Sequence, residues 1–270
     1  MLFIQFNILY FTDLELKFVI RMIKMNSMMM NKLKTFNIHL EHEKPKDIEM
    51  SDLLNEEKCR VFLQKLMLQI KAPNLSVAAS MFSKRYAYLI VASTLYSMVQ
   101  YNCTLKLPVK ACALSKEREL CIQLECCPWE ETTNLEREQW RVNVLRSLFS
   151  EHITPVLNTL QKTSRLSPSI LWENVAIRIN SIYRKILSRD VELVKIERLN
   201  SDFQFLKNAE GDLFNLKENP IKEYLKIGEE LEQNPCRKTC CMYYLLEEDL
   251  EGIGYCRICP IKSKLQRIGN

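Results

Sequence analysis

The stretch Val77-Ala-Ala-Ser-Met81-Phe-Ser-Lys-Arg-Tyr86-Ala-Tyr-Leu-Ile90-Val-Ala-Ser-Thr-Leu95-Tyr-Ser-Met-Val-Gln100-Tyr101 decides the fold. Ala78, Met81, Phe82, Tyr86, Leu89, Ile90, Ser93 and Tyr96 recur on overlapping faces of a 3.6-residue period, so the segment is apolar nearly all round. That pattern predicts a long helix at the centre of a core. Its uncharged part, Tyr86 to Tyr101, is interrupted by Ser93, Thr94, Ser97 and Gln100 and is too short to cross a bilayer, which needs roughly 18 or more apolar residues. Working outward, residues 51–71 carry Leu53, Leu54, Val61, Phe62, Leu66, Met67 and Ile70 at helical spacing. Ser51 and Asp52 mark the expected start, and Pro73-Asn74 the end.

The period changes after the long helix. Val109, Ala111 and Ala113 alternate with Lys110, Cys112 and Leu114. Ser115-Lys-Glu-Arg118 then turns the chain, and Leu120, Ile122, Leu124 and Cys126 alternate in turn, which reads as a β-hairpin ended by Pro128. Asn134 caps an expected helix to about Glu151, striped by Trp140, Val144, Leu145, Leu148 and Phe149. Pro155 starts a short helix to about Gln161. Ser167-Pro168 opens another, with Leu171, Val175, Ile179, Ile182 and Ile186 in an i, i+3/i+4 repeat. Residues 36–49 read as a polar loop, 191–215 as one or two short strands, and 218–232 as a connecting helix. The fold class is therefore α+β: mostly α-helical, with a small antiparallel β element and a cysteine-rich C-terminal segment. The expected division is an N-terminal extension (1–30), a helical domain (31–235) and a cysteine segment (236–270).

Composition narrows the function classes. In 270 residues, 47% are hydrophobic and 26% charged, enough for a full core. The net charge of +5 is dispersed, which argues against nucleic acid as a partner. All five glycines lie at or beyond Gly211, so the first 210 residues hold no Gly-rich phosphate loop. Gly252-Ile-Gly254 is a broken fragment of a dinucleotide fingerprint. The apolar start at Met1 lacks a basic region and a cleavage site, and Asp13, Glu15 and Lys17 cut it short. Stable membrane insertion is not expected, and the cytoplasm is the default compartment. Met22, Met25 and Met28-Met-Met30 leave two readings of residues 1–30: an extension outside the fold, or an amphipathic surface helix.

Cysteine supplies the chemistry. Five of the 11 cysteines fall within 24 residues, in Cys236-Arg-Lys-Thr-Cys240-Cys241-Met-Tyr-Tyr and Cys256-Arg-Ile-Cys259-Pro260. A C-x-x-C places two thiolates within reach of one metal ion or cluster iron. Adjacent cysteines splay by about 100° on a helix and oppose each other on a strand, so both serve one site only if the backbone turns there. A two-iron cluster is wider than one ion and accepts such splayed ligands more readily. Structural zinc, which draws on two spaced knuckles, remains the alternative.

The pattern Cys-Cys, spacer, Cys-x-x-Cys-Pro, preceded by Arg237-Lys-Thr, resembles the C-terminal signature of the FhuF-like siderophore ferric reductases. Ser76-Val-Ala-Ala-Ser-Met-Phe-Ser-Lys-Arg-Tyr86 and Leu171-Trp172-Glu-Asn174-Val-Ala-Ile-Arg are similar to segments that family shares with the C-terminal region of IucA/IucC siderophore synthetases. The resemblance spans roughly residues 50–265. It implies a [2Fe–2S] cluster on Cys240, Cys241, Cys256 and Cys259, and one-electron reduction of a ferric siderophore by an external donor such as a ferredoxin or flavin reductase. One departure is visible: 14 residues separate Cys241 from Cys256, a longer spacer than is usual in the family. The excess falls at Glu247–Gly252, where an exposed loop would absorb it cheaply.

Other candidates have plainer readings. Cys236 lies outside the pattern and reads as a bystander, and Cys126-Cys127-Pro128 as structural. His39, His42 and His152 have no ligand spacing with the cysteines, and His152 reads as a capping or surface histidine. Trp129, Trp140 and Trp172 read as core. Arg237, Lys238, Arg257, Lys262, Lys264 and Arg267 either stabilise a reduced cluster and attract an anionic ferric complex, or form a solvated basic tail.

Overall fold

The computed structural model describes residues 31, 33–133, 135–188, 192–228, 230, 233, 235–246 and 254–268. Residues 1–30, the cap at Asn134 and the stretch Glu247–Gly252 lie outside them. The long helix forms as expected, as α2 (Leu75–Tyr101), with 19 of its 27 residues buried. Asn74 caps it, its Oδ1 accepting from Val77 N–H at 3.0 Å, and Asn102 ends it in the left-handed region at φ 51°. The preceding helix, α1 (Glu56–Gln69), starts later than Ser51. Asn55 is the cap, accepting from the N–H groups of Glu57 and Lys58, and residues 50–54 form a 3-10 turn.

The chain then enters strand β3 (Cys103–Leu105), which pairs antiparallel with β6 (Trp129–Glu131). Between them lies the expected hairpin, β4 (Cys112–Ser115) and β5 (Leu120–Ile122), with Cys112 opposite Ile122 and Leu114 opposite Leu120. Both strands are shorter than the alternation suggested, because residues 109–111 and 124–126 are 3-10 turns. Arg118 takes φ 60° in the turn, and the Ser115 hydroxyl accepts from the N–H groups of Glu117 and Glu119.

Residues 36–49 are not a plain loop. They supply β1 (Ile38–Leu40) and β2 (Lys46–Glu49), giving a sheet in the order β1-β5-β4-β2. β1 runs parallel to β5 with Ile38 opposite Leu120, and β2 antiparallel to β4. Their polar composition suits short edge strands.

Helix α3 (Arg137–Arg146) runs through a π-helical segment, Ser147–Ile153, directly into α4 (Thr154–Ser164). No break occurs at Pro155. The wider turn before it takes up a residue that has no N–H to donate. Helix α5 (Pro168–Leu187), opened by Ser167-Pro168, lies along α2 as its principal neighbour. The described residues of 191–215 form no strand: Leu193–Asn208 is helix α6, burying Leu199, Phe203 and Leu206 at helical spacing. Its buried Asp202 receives two 2.7 Å bonds from the Arg137 guanidinium, which ties α6 to α3. Within the described part of 218–232, Lys222–Tyr224 is a 3-10 turn and Glu230 is helical. The last described element is α7 (Pro260–Ile268). The molecule is thus an α+β protein, mostly helical with small sheets, and among the described residues no helix is long and apolar enough to cross a membrane.

The tryptophan readings hold for Trp140 and Trp172, which are buried. The reading of His152 does not. It is buried, with Nδ1 against the Leu107 carbonyl, and burial lowers its pKa to about 4, so it packs as a neutral ring.

Candidate metal centre

Two limbs of chain, 236–246 and 254–260, bring four thiols together. Arg237 N–H donates to Ile258 O at 3.1 Å across the limbs, and Cys259 N–H closes the Cys-x-x-Cys turn on Cys256 O at 3.0 Å. Met242 adopts φ 63°, the turn that adjacent cysteines require, and its N–H donates to Cys240 Sγ at 3.3 Å. Cys259 precedes α7, and its carbonyl accepts from Ser263 N–H at 3.2 Å, so the residue sits at the positive end of that helix. Cys241 and Cys259 are buried; Cys240 and Cys256 are half-buried.

The thiols interact. The Cys256 thiol hydrogen-bonds Cys241. That bond lowers the pKa of Cys241, with help from the Lys84 and Arg237 charges, and raises that of Cys256. Burial raises Cys240, with the nearby Cys241 and Cys259 adding to the shift. Among the described residues, no group of three or more ligating side chains is arranged to hold a metal ion. Cys236 stands apart on the wall of a neighbouring pocket, and Cys126 and Cys127 sit in the hairpin region.

The side chains that dock this segment come from α2 and α5, and sequence reasoning missed their role. Glu173, buried, accepts from Lys238 N–H at 2.6 Å, Thr239 N–H at 2.8 Å, the Thr239 hydroxyl, and the buried Arg237 guanidinium at 3.3 Å. Arg237 Nη1 also donates to Asn174 Oδ1 at 2.8 Å. Asn174 Nδ2 in turn donates to Ser83 Oγ at 2.7 Å. On α2, Ser80 Oγ donates to Cys241 O at 2.8 Å, and Lys84 Nζ lies 3.6 Å from Cys241 Sγ. A signal was available. Glu173 and Asn174 interrupt an apolar stripe, and Ser80, Ser83 and Lys84 share one helix face at i, i+3, i+4. Polar groups buried in such places need partners from elsewhere in the chain.

Beside the thiols lies a pocket of about 250 Å³ with Cys256 and Cys236 on its wall. Seven of its side chains are cationic, among them Lys84, Arg178, Arg184 and Arg257, and one, Glu173, is anionic. Of the basic residues noted in the sequence, Arg237 is therefore a buried structural cation and Arg257 a pocket residue. Lys238 pairs with Glu223 at 3.0 Å, and Lys262 and Lys264 are exposed on α7. The Arg267 side chain is outside the described residues.

Fold and site together define a helical α+β protein whose C-terminal thiols are seated on two core helices beside a cationic pocket. The family described as "Ferric iron reductase FhuF-like transporter" matches residues 80–232, more than half of the chain, and the chain belongs to it. The match takes in Ser80, Lys84, Glu173, Asn174 and Arg178, and ends before the cysteine limbs. No curated protein matches the chain.

Proposed function

We propose that this member of the ferric iron reductase FhuF-like family is a ferric-siderophore reductase carrying a [2Fe–2S] cluster on Cys240, Cys241, Cys256 and Cys259, with residues 236–270 as its metal-binding segment and 31–235 as its helical body. The observation that carries the reading is the seating of the first thiol-bearing limb on matched residues of α2 and α5, with the second limb bonded to it and Cys256 on the wall of a cationic pocket. Four thiols on two limbs are the number and kind of donors that a two-iron group takes. Such a cluster, when bound, gives and accepts one electron at a time.

The chain's own residues set the conditions for that chemistry. Lys84 and Arg237 place positive charge beside Cys241 and stabilise its thiolate. Glu173 holds the first limb through its main chain, so the Cys240-Cys241 turn is fixed before any metal arrives. The pocket holds the ferric complex against the Cys256 wall. Siderophores grip Fe(III) with hard anionic oxygens, and Fe(II), of lower charge density, binds them far less tightly, so one electron releases the iron. The electron comes from an external donor, a ferredoxin or flavin reductase, and the reaction takes place in the cytoplasm.

The test is EPR of anaerobically purified protein before and after dithionite. A reddish-brown protein that is silent when oxidised and gives an S = 1/2 signal on reduction, discharged by a ferric siderophore, supports the reading. A colourless protein with stoichiometric zinc overturns it.

A further inference from the structure

We infer that the pocket beside Cys256 selects ferric complexes of net negative charge, with carboxylate or catecholate donors, over neutral or cationic hydroxamate complexes; this rests on the reductase reading and names its substrate class. The one carboxylate in the pocket wall cannot neutralise the cations. Glu173 is consumed by Arg237 and by the N–H groups of Lys238 and Thr239. Arg178 forms the inner wall. Its Nε donates to Lys84 O at 3.2 Å, yet among the described residues no carboxylate lies within 4 Å of its guanidinium. Burial lowers its pKa from the ordinary value, and what faces the partly desolvated charge is the Tyr88 ring at 5.9 Å and the Cys241 thiol, not a carboxylate. Arg184 and Arg257 are exposed at the rim, and they too lack a carboxylate partner among the described residues.

A partly desolvated guanidinium without a carboxylate partner is costly to keep, and an anionic ligand supplies what is missing. A low-dielectric wall also focuses the field of clustered cations on the pocket mouth and raises the local concentration of anions. Ile177, Ile258 and Tyr224 give the wall its apolar part, against which the ligand's carbon frame or catechol rings can pack. A complex carrying a free ammonium meets Arg178, Arg184 and Arg257 as like charges.

The test uses redox-inert gallium(III) in place of iron, with the purified full chain and calorimetric titration. The probes are a gallium(III) tris-catecholate, which is anionic, and a gallium(III) linear trihydroxamate bearing a free amine, which is cationic. The anionic probe should bind roughly tenfold or more tightly at low salt, and the gap should narrow at high salt. Arg184→Glu and Arg257→Glu, both at exposed positions, should each weaken the anionic probe by about three- to tenfold and leave the cationic probe unchanged or tighter, with unaltered circular dichroism. Equal or tighter binding of the cationic probe, no binding of either, or indifference to both reversals would overturn charge selection. Because gallium takes no electron, this result is separate from the reductase reading. Anionic binding with no reduction of the iron counterpart by the reduced protein sinks that reading alone.

Discussion

The chain contains two adjacent cysteine pairs, and only one is seated among cations. Cys126-Cys127 sits at a 3-10 turn beside the hairpin, with Cys126 exposed and Cys127 buried. Burial pushes the Cys127 thiol up to about 12, and its neighbours Cys126 and Glu125 push the same way. Cys240-Cys241 is followed by a left-handed residue, faces a second thiol limb, and has Lys84 and Arg237 nearby, so Cys241 shifts down. The dipeptide is the same. What differs is the backbone turn, the second limb and the positive charge, and these come from helices far away in sequence. Thiolate chemistry is thus a property of the seat more than of the cysteines.

The largest effect comes from breaking the seated pair itself. Cys241→Ser or Cys256→Ser should abolish bound iron and visible colour, because a hydroxyl is a hard, poor substitute for thiolate on iron. Cys259→Ser should do the same, while Cys126→Ser, Cys127→Ser and Cys236→Ser retain it. Iron and sulfide analysis of the purified variants checks this. Iron retained in Cys241→Ser but lost in Cys127→Ser would invert the comparison.

The next effect comes from removing the seat. Glu173→Ala leaves Arg237 buried without its carboxylate and deprives two backbone N–H groups of their acceptor. Breaking one side of a buried ion pair costs about 3–5 kcal/mol. Denaturant unfolding should show a loss of that order together with loss of iron. A variant that keeps full stability would mean the limb is held by other contacts.

Much of this was legible in the sequence, and the exceptions have physical causes. α2 and α5 announced themselves through continuous apolar periodicity, and the hairpin through alternation around Ser115–Arg118. β1 was hidden because its partner β5 lies about 80 positions away, Ile38 opposite Leu120, and polar edge strands carry no local signal. α6 was misread because its inward stripe is narrow and is completed by Asp202, whose partner Arg137 no local pattern predicts. The four thiols stood out by spacing. Their seat did not, since Glu173, Asn174, Ser80 and Lys84 look like ordinary interruptions until the segment that needs them is folded against them.

A third effect sharpens the contrast through pH. The folded-state pKa of Cys127 is raised above its unfolded value near 9, to about 12. Its neutral form is favoured by the fold, so its contribution is fully present below about 9 and is lost as pH rises toward 12. The metal-free protein should therefore lose stability across that window, and Cys127→Ala should flatten part of the fall when melting temperature is followed against pH. An unchanged slope would show that Cys127 titrates as it does in the unfolded chain.

The smallest expected effect tests the seated pair's cation. Lys84 Nζ is 3.6 Å from Cys241 Sγ and 4.9 Å from the Tyr243 ring centre, so its ammonium acts on the thiolate from a partly buried position. Lys84→Met keeps the length of the stem and removes the charge. In metal-free protein, the pH midpoint of thiol alkylation assigned to Cys241 by peptide mapping should rise by about half to one unit, since a half-buried ion pair is worth roughly 0.5–1.5 kcal/mol. Arg237 remains in place and limits the change. The thiols of Cys126 and Cys127, which have no such neighbour, should keep their alkylation profiles in the same sample. A midpoint that stays put for Cys241, or one that moves equally for both pairs, would show that Lys84 does not set the difference between them, and that the turn at Met242 and the Cys256 hydrogen bond suffice.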